Sequence, residues 1–338
     1  MNDSQPDLKM QKTPTPKTLL PRPLKPGGTI GICSPSGPTP SAHEALPQAA
    51  RMLTERGYRV VVGPSAGRED SGAGRAYLAG SDDARAGDMN AFLADPEIDL
   101  ILCARGGYGA MRILDRIDYD TARRDPKPLV GYSDVTALSL ALLARAGVVS
   151  YSGIMATAGS GFGEESLDPF SAASFFEAVG ARPDAKPRTL ASPPDNAPWE
   201  VYRAASREET LTGPLIPVCL SLLTALIGTP FLPDLRGAIL VIEDVYEELY
   251  AIDRYLTQMR LAGLLDDLAG ILVGTFTGVP DQQEILRCEV PRLCREMTPH
   301  TVAVVSGIAY GHVPCRLTLP VGAVTTIDTD ARTFTVTG

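Results

Sequence analysis

The sequence predicts an α/β protein in which an N-terminal parallel sheet flanked by helices is followed by a smaller, β-rich α/β domain. Three observations carry that expectation. From residue 27 to about 150, short apolar segments alternate with capped helical ones, the pattern of a parallel sheet wound with helices. From residue 302 onward the chain is rich in β-branched residues and turns, which favours strands. The chain has 338 residues, more than one ordinary domain needs, and its 44% hydrophobic and 21% charged residues provide for a sizeable core.

Taken in order, "GGTIGICSPSG" (27–37) is a strand running into a Pro/Ser/Gly turn. "SAHEALPQAARMLTERG" (41–57) is a helix after a Ser cap, and "YRVVVGP" (58–64) is a second strand. "GSDDARAGDMNAFLADP" (80–96) is again capped and helical, "IDLILCARGGYG" (98–109) is a buried strand breaking into glycines, and "AMRILDRID" (110–118) is helical. "PLVGYSDVTALSLALLARAG" (128–147) opens as a buried strand, turns at Gly-Tyr-Ser-Asp and continues as a helix. After one more helix, "DPFSAASFFEAVG" (168–180), a Pro-, Ser-, Asp- and Arg-rich run reads as a crossover. "SLLTALIG" (221–228) is helical, "RGAILVIEDVYEELYAIDRYLTQMRLAG" (236–263) is a strand followed by a long amphipathic helix, and "LAGILVGTFTG" (268–278) is another strand. The expected division is a flexible arm over 1–26, an α/β domain over 27–165, a crossover over 166–212 and a second domain over 213–338. The sequence has no internal repeat.

A formal charge of −9 argues against a nucleic-acid partner, because the Lys/Arg surface that would neutralise phosphates is missing. Cys33, Cys103, Cys219, Cys288, Cys294 and Cys315 are scattered without a C-x-x-C pair and read as reduced thiols. With only His43, His300 and His312 to join them, zinc-ligand spacing is absent, and no metal or cofactor is expected. The N-terminus is polar and Pro-rich without an apolar signal core, and no stretch has the length of a membrane span. The expected location is the cytoplasm.

Four places carry chemistry-bearing residues. In "ARGGYG" (104–109), Gly106 and Gly107 follow a strand and precede a helix; their N–H groups suit an anion, though by spacing alone a tight strand-to-helix turn is the simpler reading. This run is not G-x-G-x-x-G, and neither is "GTIGICSPSG", so a dinucleotide fingerprint is lacking. Ser133 sits where a nucleophile elbow would lift a hydroxyl out of the sheet. Gly131 precedes it by two positions, and the N–H of Asp134 is placed to meet an oxyanion. A helix N-cap accounts for the same residues, and Val135 departs from G-x-S-x-G. His312 lies in the turn-rich "SGIAYGHVPC" and is either a base or a structural histidine. Glu243 ends the apolar strand "AILVIE", at the strand end where α/β proteins place ligands and catalytic groups. Asp244, Glu247 and Glu248 are accounted for by the dipole of the following helix, Glu243 less so.

Together these segments resemble the LD-carboxypeptidases, the serine peptidase family that includes muramoyltetrapeptide carboxypeptidase and the microcin C self-immunity hydrolases. The resemblance runs from about residue 27 to 330. It rests on "GICSPSGP", "ARGGYGAMRILDRIDY", "GYSDVTAL", "SLLTALIGTPFLPDLRGAILVIEDV", "YAIDRYLTQMRLAGLL" and "GHVPCRLTLPVGA". It implies a Ser-Glu-His triad with Ser133 as nucleophile, Glu243 orienting the base and His312 as base. It also implies oxyanion donors at the backbone N–H groups of Gly107 and Asp134, and a homodimer. Arg105 and Gly106 are candidate substrate-binding residues, Arg105 having a surface role as its alternative. The chain departs from the family before "SLLTAL", where Pro217, Val218 and Cys219 replace the usual Gly-Gly-Asn of a loop near the cleft. It is also looser around Met155, in "SYSGIMAT".

The expected activity is hydrolysis of the L,D-amide bond of a murein tetrapeptide with release of its terminal D-Ala. The alternatives are the same chemistry on a related amide such as a peptidyl-nucleotide antibiotic, and a non-enzymatic small-ligand-binding protein. A nucleotide-dependent enzyme would need a phosphate-binding loop that the sequence lacks.

Overall fold

The computed structural model describes residues 16–67, 75–157, 161–163, 167–180, 187–193, 198–204 and 210–337. Residues 1–15 of the expected arm and parts of the expected crossover lie outside them. Residues 19–24, expected to belong to a loose arm, are tied down. Leu19 donates to Gly147 O at 2.8 Å, Leu24 to Val179 O at 2.8 Å, and Arg22 is bonded to Asp125 at 3.0 Å. The buried Leu24 side chain explains the anchoring, since an apolar residue inside a polar arm gains by covering the core.

In the N-terminal half the order is β1 (Thr29–Cys33), α1 (Ala42–Glu55), β2 (Arg59–Val62), α2 (Asp82–Ala94), β3 (Leu100–Cys103), α3 (Tyr119–Arg124), β4 (Leu129–Val130), α4 (Thr136–Ala146), β5 (Ser150–Ser152) and α5 (Pro169–Val179). β1 and β3 are buried at every position, as central parallel strands covered by helices on both faces must be, and β2 is the exposed edge. The helix starts follow from capping: Ser81 accepts from Ala84 N, and Asp168 from Ser171 N with Pro169 opening α5. Between β3 and α3, the expected helix over 110–118 is a tight 3-10 helix at Ala110–Arg116. Asp118, which caps α3, ends it.

The C-terminal half continues with β6 (Arg188–Ala191), β7 (Glu200–Arg203), β8 (Thr210–Cys219), α6 (Leu220–Ala225), β9 (Ile239–Val245), α7 (Leu249–Leu261), β10 (Gly270–Thr277), α8 (Gln283–Met297), β11 (Ala303–Gly311), β12 (Leu319–Val321), β13 (Val324–Asp328) and β14 (Thr333–Val336). Its eight-stranded sheet runs β6-β14-β13-β8-β9-β10-β11-β7, parallel from β8 to β11 and antiparallel on both flanks. β6 and β7 lie in the run expected as a crossover. Pro217, Val218 and Cys219, expected in a loop, end strand β8 instead and pair with Val241, Ile242 and Glu243. Their physical reason is apolar character: Val218 and Cys219 are buried against the core strand β9.

The six-stranded N-terminal sheet is β12-β5-β4-β3-β1-β2. Its edge strand β12 belongs to the far end of the chain and pairs antiparallel with β5, Leu319 with Ser152 and Val321 with Ser150. The segment before β12 is held by α5: Ser171 Oγ donates to Pro314 O and accepts from Arg316 N, and Ser174 Oγ accepts from Thr318 N, each at 2.9 Å. Ser152 Oγ lies 2.6 Å from Tyr310 Oη. The largest apolar cluster spans both halves and includes Leu138 and Leu140 of α4, Leu223 of α6 and Ile242 of β9. At Gly153, just past β5, a Cβ would fall 2.3 Å from Thr318 Oγ1 and 2.8 Å from its Cα. Gly153→Ala is therefore expected to loosen this seam and cost about 1–3 kcal/mol in urea unfolding, the usual size of overpacking.

Candidate active site

The turn after β4 is the first half of the site. Gly131 is required by crowding, because a Cβ there would lie 2.8 Å from Val135 Cγ1 and 3.0 Å from Cys103 Cβ. Tyr132 is extended, and Ser133 then takes φ +61°, the left-handed region that costs a non-glycine residue about 1–2 kcal/mol. A short 3-10 turn over Ser133–Val135 leads directly into α4. An ordinary N-cap residue has extended backbone and an accepting side chain; Ser133 has neither. Such strain is characteristic of sites where a side chain must be presented.

The Gly-rich turn after β3 packs on this serine. A Cβ on Gly106 would fall 2.9 Å from Ser133 Cβ, 3.1 Å from its Oγ and 3.4 Å from Asp134 N. The Gly106 carbonyl accepts from Gly37 N at 3.1 Å, so across the trans peptide the N–H of Gly107 points away from Gly37. Gly107 itself has φ +108°. The Asp134 side chain is buried and accepts from Ala110 N at 2.8 Å, locking the elbow to the end of the same turn. Burial pushes its carboxyl above the usual range, while the hydrogen bond from Ala110 opposes that shift. Arg85 of α2, fully buried, braces the other side by donating to Gly109 O at 2.8 Å and pairing with Asp82. Arg105 donates to Pro38 O at 3.1 Å and so helps hold the loop after β1.

The second half of the site comes from β9 and the end of β11. Glu243 is 0% exposed, and its Oε2 lies 2.7 Å from His312 Nδ1. A carboxylate in that position fixes the imidazole with Nδ1 protonated, which leaves Nε2 to accept a proton. The His312 side chain keeps 19% of its surface exposed. Its ring centroid is 4.9 Å from that of Tyr132, the residue before Ser133, so the imidazole sits beside the elbow. Among the described residues no hydrogen bond joins Ser133 Oγ to the imidazole. Next to Glu243, Cys219 Sγ donates to Asp244 Oδ1 at 3.2 Å, and Asp244 also accepts from Ser221 N at 2.7 Å. Burial, and secondly the neighbouring Glu243 charge, raises the Asp244 carboxyl.

The structure thus brings Ser133, Asp134, Gly106 and Gly107 into one cluster, with Glu243 and His312 against it through Tyr132. Arg105 lies alongside the Gly-rich turn, its Nη2 3.8 Å from where a Cβ on Gly107 would stand. Sequence reasoning misses Tyr132, Arg85 and Arg316. A signal existed for two of them: Arg316 stands inside the apolar run "CRLTLP", and Arg85 on the face of α2 shared with Met89 and Phe92. Among the described residues, no group of three or more His, Cys, Asp or Glu side chains is placed to hold a metal ion, and no helix is long and apolar enough to cross a membrane.

A strained serine between a strand and a helix, one residue after a tyrosine that touches an imidazole paired with a buried carboxylate, is an arrangement found among hydrolases. The chain is a member of the LD-carboxypeptidase family, an enzyme of carboxypeptidase type: the family's N-terminal domain matches residues 30–153 and its C-terminal domain residues 212–327. It is 32% identical to the probable murein peptide carboxypeptidase of Bacillus subtilis over 94% of this chain and 93% of that one. The wild-type apo structure of the microcin C7 self-immunity protein superimposes with a TM-score of 0.82 at 25% identity, covering 95% of this chain and 98% of that one. The muramoyltetrapeptide carboxypeptidase of Oxalobacter formigenes gives 0.73 at 26% identity, covering 91% and 97%. The expected α/β fold is borne out.

Gly106→Ala tests the close approach of the two turns. The added methyl enters the space beside Ser133 Oγ, so carboxypeptidase turnover should fall by about 10²-fold, the scale of an ångström-size misplacement at a reacting group. Circular dichroism should stay native.

Proposed function

We propose that the protein is a serine-type LD-carboxypeptidase that hydrolyses the L,D-amide bond of a murein tetrapeptide and releases the terminal D-Ala. The observation that carries this proposal is the 2.7 Å Glu243–His312 bond, set beside a serine held at φ +61°. In the proposed reaction His312 Nε2 takes the Ser133 proton as Oγ attacks the carbonyl carbon. The N–H groups of Gly107 and Asp134 receive the negative oxygen of the tetrahedral intermediate. The imidazolium, stabilised by Glu243, then gives its proton to the leaving D-amino acid nitrogen as the C–N bond breaks. Water, deprotonated by His312, then attacks the acyl carbon; the ester C–O bond to Ser133 breaks, the shortened peptide leaves as a carboxylic acid, and the imidazolium returns its proton to Ser133 Oγ.

Murein peptide is preferred as the substrate because identity to the Bacillus subtilis enzyme is 32%, against 27% to the self-immunity protein. The overall shape favours the second, with its higher TM-score, so the same chemistry on a peptidyl-nucleotide amide is the competing substrate assignment. We assign the enzyme to the cytoplasm, as a homodimer acting on released peptides, on its family likeness.

The test is release of D-Ala from L-Ala-γ-D-Glu-meso-diaminopimelate-D-Ala by the native chain and by Ser133→Ala. The native chain should release it, and the variant should be slower by roughly 10⁴-fold or more, as when a nucleophile is removed from a triad. Equal release by both would remove Ser133 from the mechanism. No release by folded native protein would reject the murein tetrapeptide as substrate.

A further inference from the structure

One hydrogen bond fixes the edge of the His312 ring that carries Nδ1, but it leaves the ring able to swing about that contact. Tyr132 and Arg316, which the reaction above does not use, restrict that swing. Tyr132 is 3% exposed and its ring lies 4.9 Å from the imidazole, tilted by 59°. Arg316 is 1% exposed, and its guanidinium carbon lies 4.5 Å from the centroid of the same Tyr132 ring, inside the roughly 6 Å range of cation–π attraction. Nη1 of Arg316 reaches back to the carbonyl of Gly311 at 3.3 Å, the residue immediately before His312. Gly311 packs on the catalytic carboxylate in turn, since a Cβ there would lie 3.2 Å from Glu243 Cβ. The backbone of Arg316 is held by Ser171 of α5. A buried guanidinium is costly unless its charge is used, and here it spans the loop that carries His312 and meets the residue that precedes Ser133.

We infer that Tyr132 and Arg316 are positioning residues: Arg316 stacked on Tyr132, and Tyr132 set against His312, aim the imidazole at Ser133 across the seam between the two halves. This rests on the assignment of Ser133 and His312 as nucleophile and base. The aromatic face does the work, and the Tyr132 hydroxyl is dispensable to it. Arg316 acts through its planar group, which the point charge of a lysine does not reproduce.

The test uses the full chain with Tyr132→Phe, Tyr132→Leu, Arg316→Gln and Arg316→Lys. Two readouts apply: kcat and KM for D-Ala release, and the far-downfield proton NMR resonance of the His312 Nδ1–H held by Glu243. Tyr132→Leu should lower kcat by about 10²-fold, the cost of a misplaced reacting group, with KM little changed and the resonance broadened or lost. Tyr132→Phe should recover both readouts. Arg316→Lys should fail as Arg316→Gln does. A folded Tyr132→Leu with native kcat and a native resonance would overturn the inference. If Tyr132→Leu does not fold, Arg316→Lys decides by the same two readouts, native values overturning the inference. If the native chain releases no D-Ala, the substrate assignment fails while the resonance still decides whether this stack holds the imidazole.

Discussion

The site depends on one piece of antiparallel pairing, that of β12 with β5. The turn at Ser133 belongs to the N-terminal sheet and the buried Glu243 to the C-terminal sheet, so holding Ser133 near the Glu243–His312 pair requires two sheets to be fixed in register. β12 does this by leaving the half of the chain it belongs to and becoming the edge strand of the other. The nine residues from His312 to Pro320 are thereby stretched between Glu243 on one side and α5 on the other, with Ser171 and Ser174 bonding the backbone between. Each bond contributes only about 0.5–1.5 kcal/mol net. Their value lies in geometry: they leave His312 little choice of position. The apolar cluster shared by α4, α6 and β9 fills the space beneath the seam.

Against this fixed seam the elbow carries strain. Ser133 is held left-handed by groups on three sides: Gly106 presses on it, Asp134 is bonded to Ala110, and Val135 packs over Gly131. Arg85 then fixes Gly109, so the Gly-rich turn cannot relax away from the serine. Burying Asp134 and Arg85 is electrostatically unfavourable, as the raised carboxyl and lowered guanidinium show, and each is offset by directed hydrogen bonds. Two buried polar networks therefore support a turn whose local conformation is disfavoured. The same economy explains Cys219 and Asp244: the thiol and Ser221 N saturate a carboxylate beside Glu243, leaving Glu243 as the partner of the imidazole.

Much of this was legible in the sequence because it is local. Periodicity and caps placed the alternating strands and helices of the N-terminal half, and Gly-Tyr-Ser-Asp marked a strand-turn-helix junction. What escaped was non-local. β6 and β7 are short strands in polar sequence, defined by the neighbours they pair with, β14 and β11. α8 contains Pro291 and begins without a side-chain cap, so neither stop nor start signal was clear. The three residues at 217–219 read as a loop by family likeness, whereas their apolar side chains extend β8. At the site, Ser133 stood out in a strand-to-helix turn, His312 in a turn-rich segment and Glu243 at a strand end, but bringing the two halves together depends on β12 crossing between sheets, which no local pattern encodes. Tyr132 and Arg316 escaped for the same reason: an aromatic beside an elbow and an arginine in an apolar run acquire meaning only once they touch.

The most direct test of the account is covalent labelling of the native chain with a fluorophosphonate, located by peptide mass spectrometry and repeated with His312→Gln. The seam and the strained elbow predict a single adduct on Ser133, formed at least about 10²-fold more slowly without the imidazole, as expected when a general base is removed. An adduct on another serine, or labelling of Ser133 at equal rates in the two proteins, would contradict it.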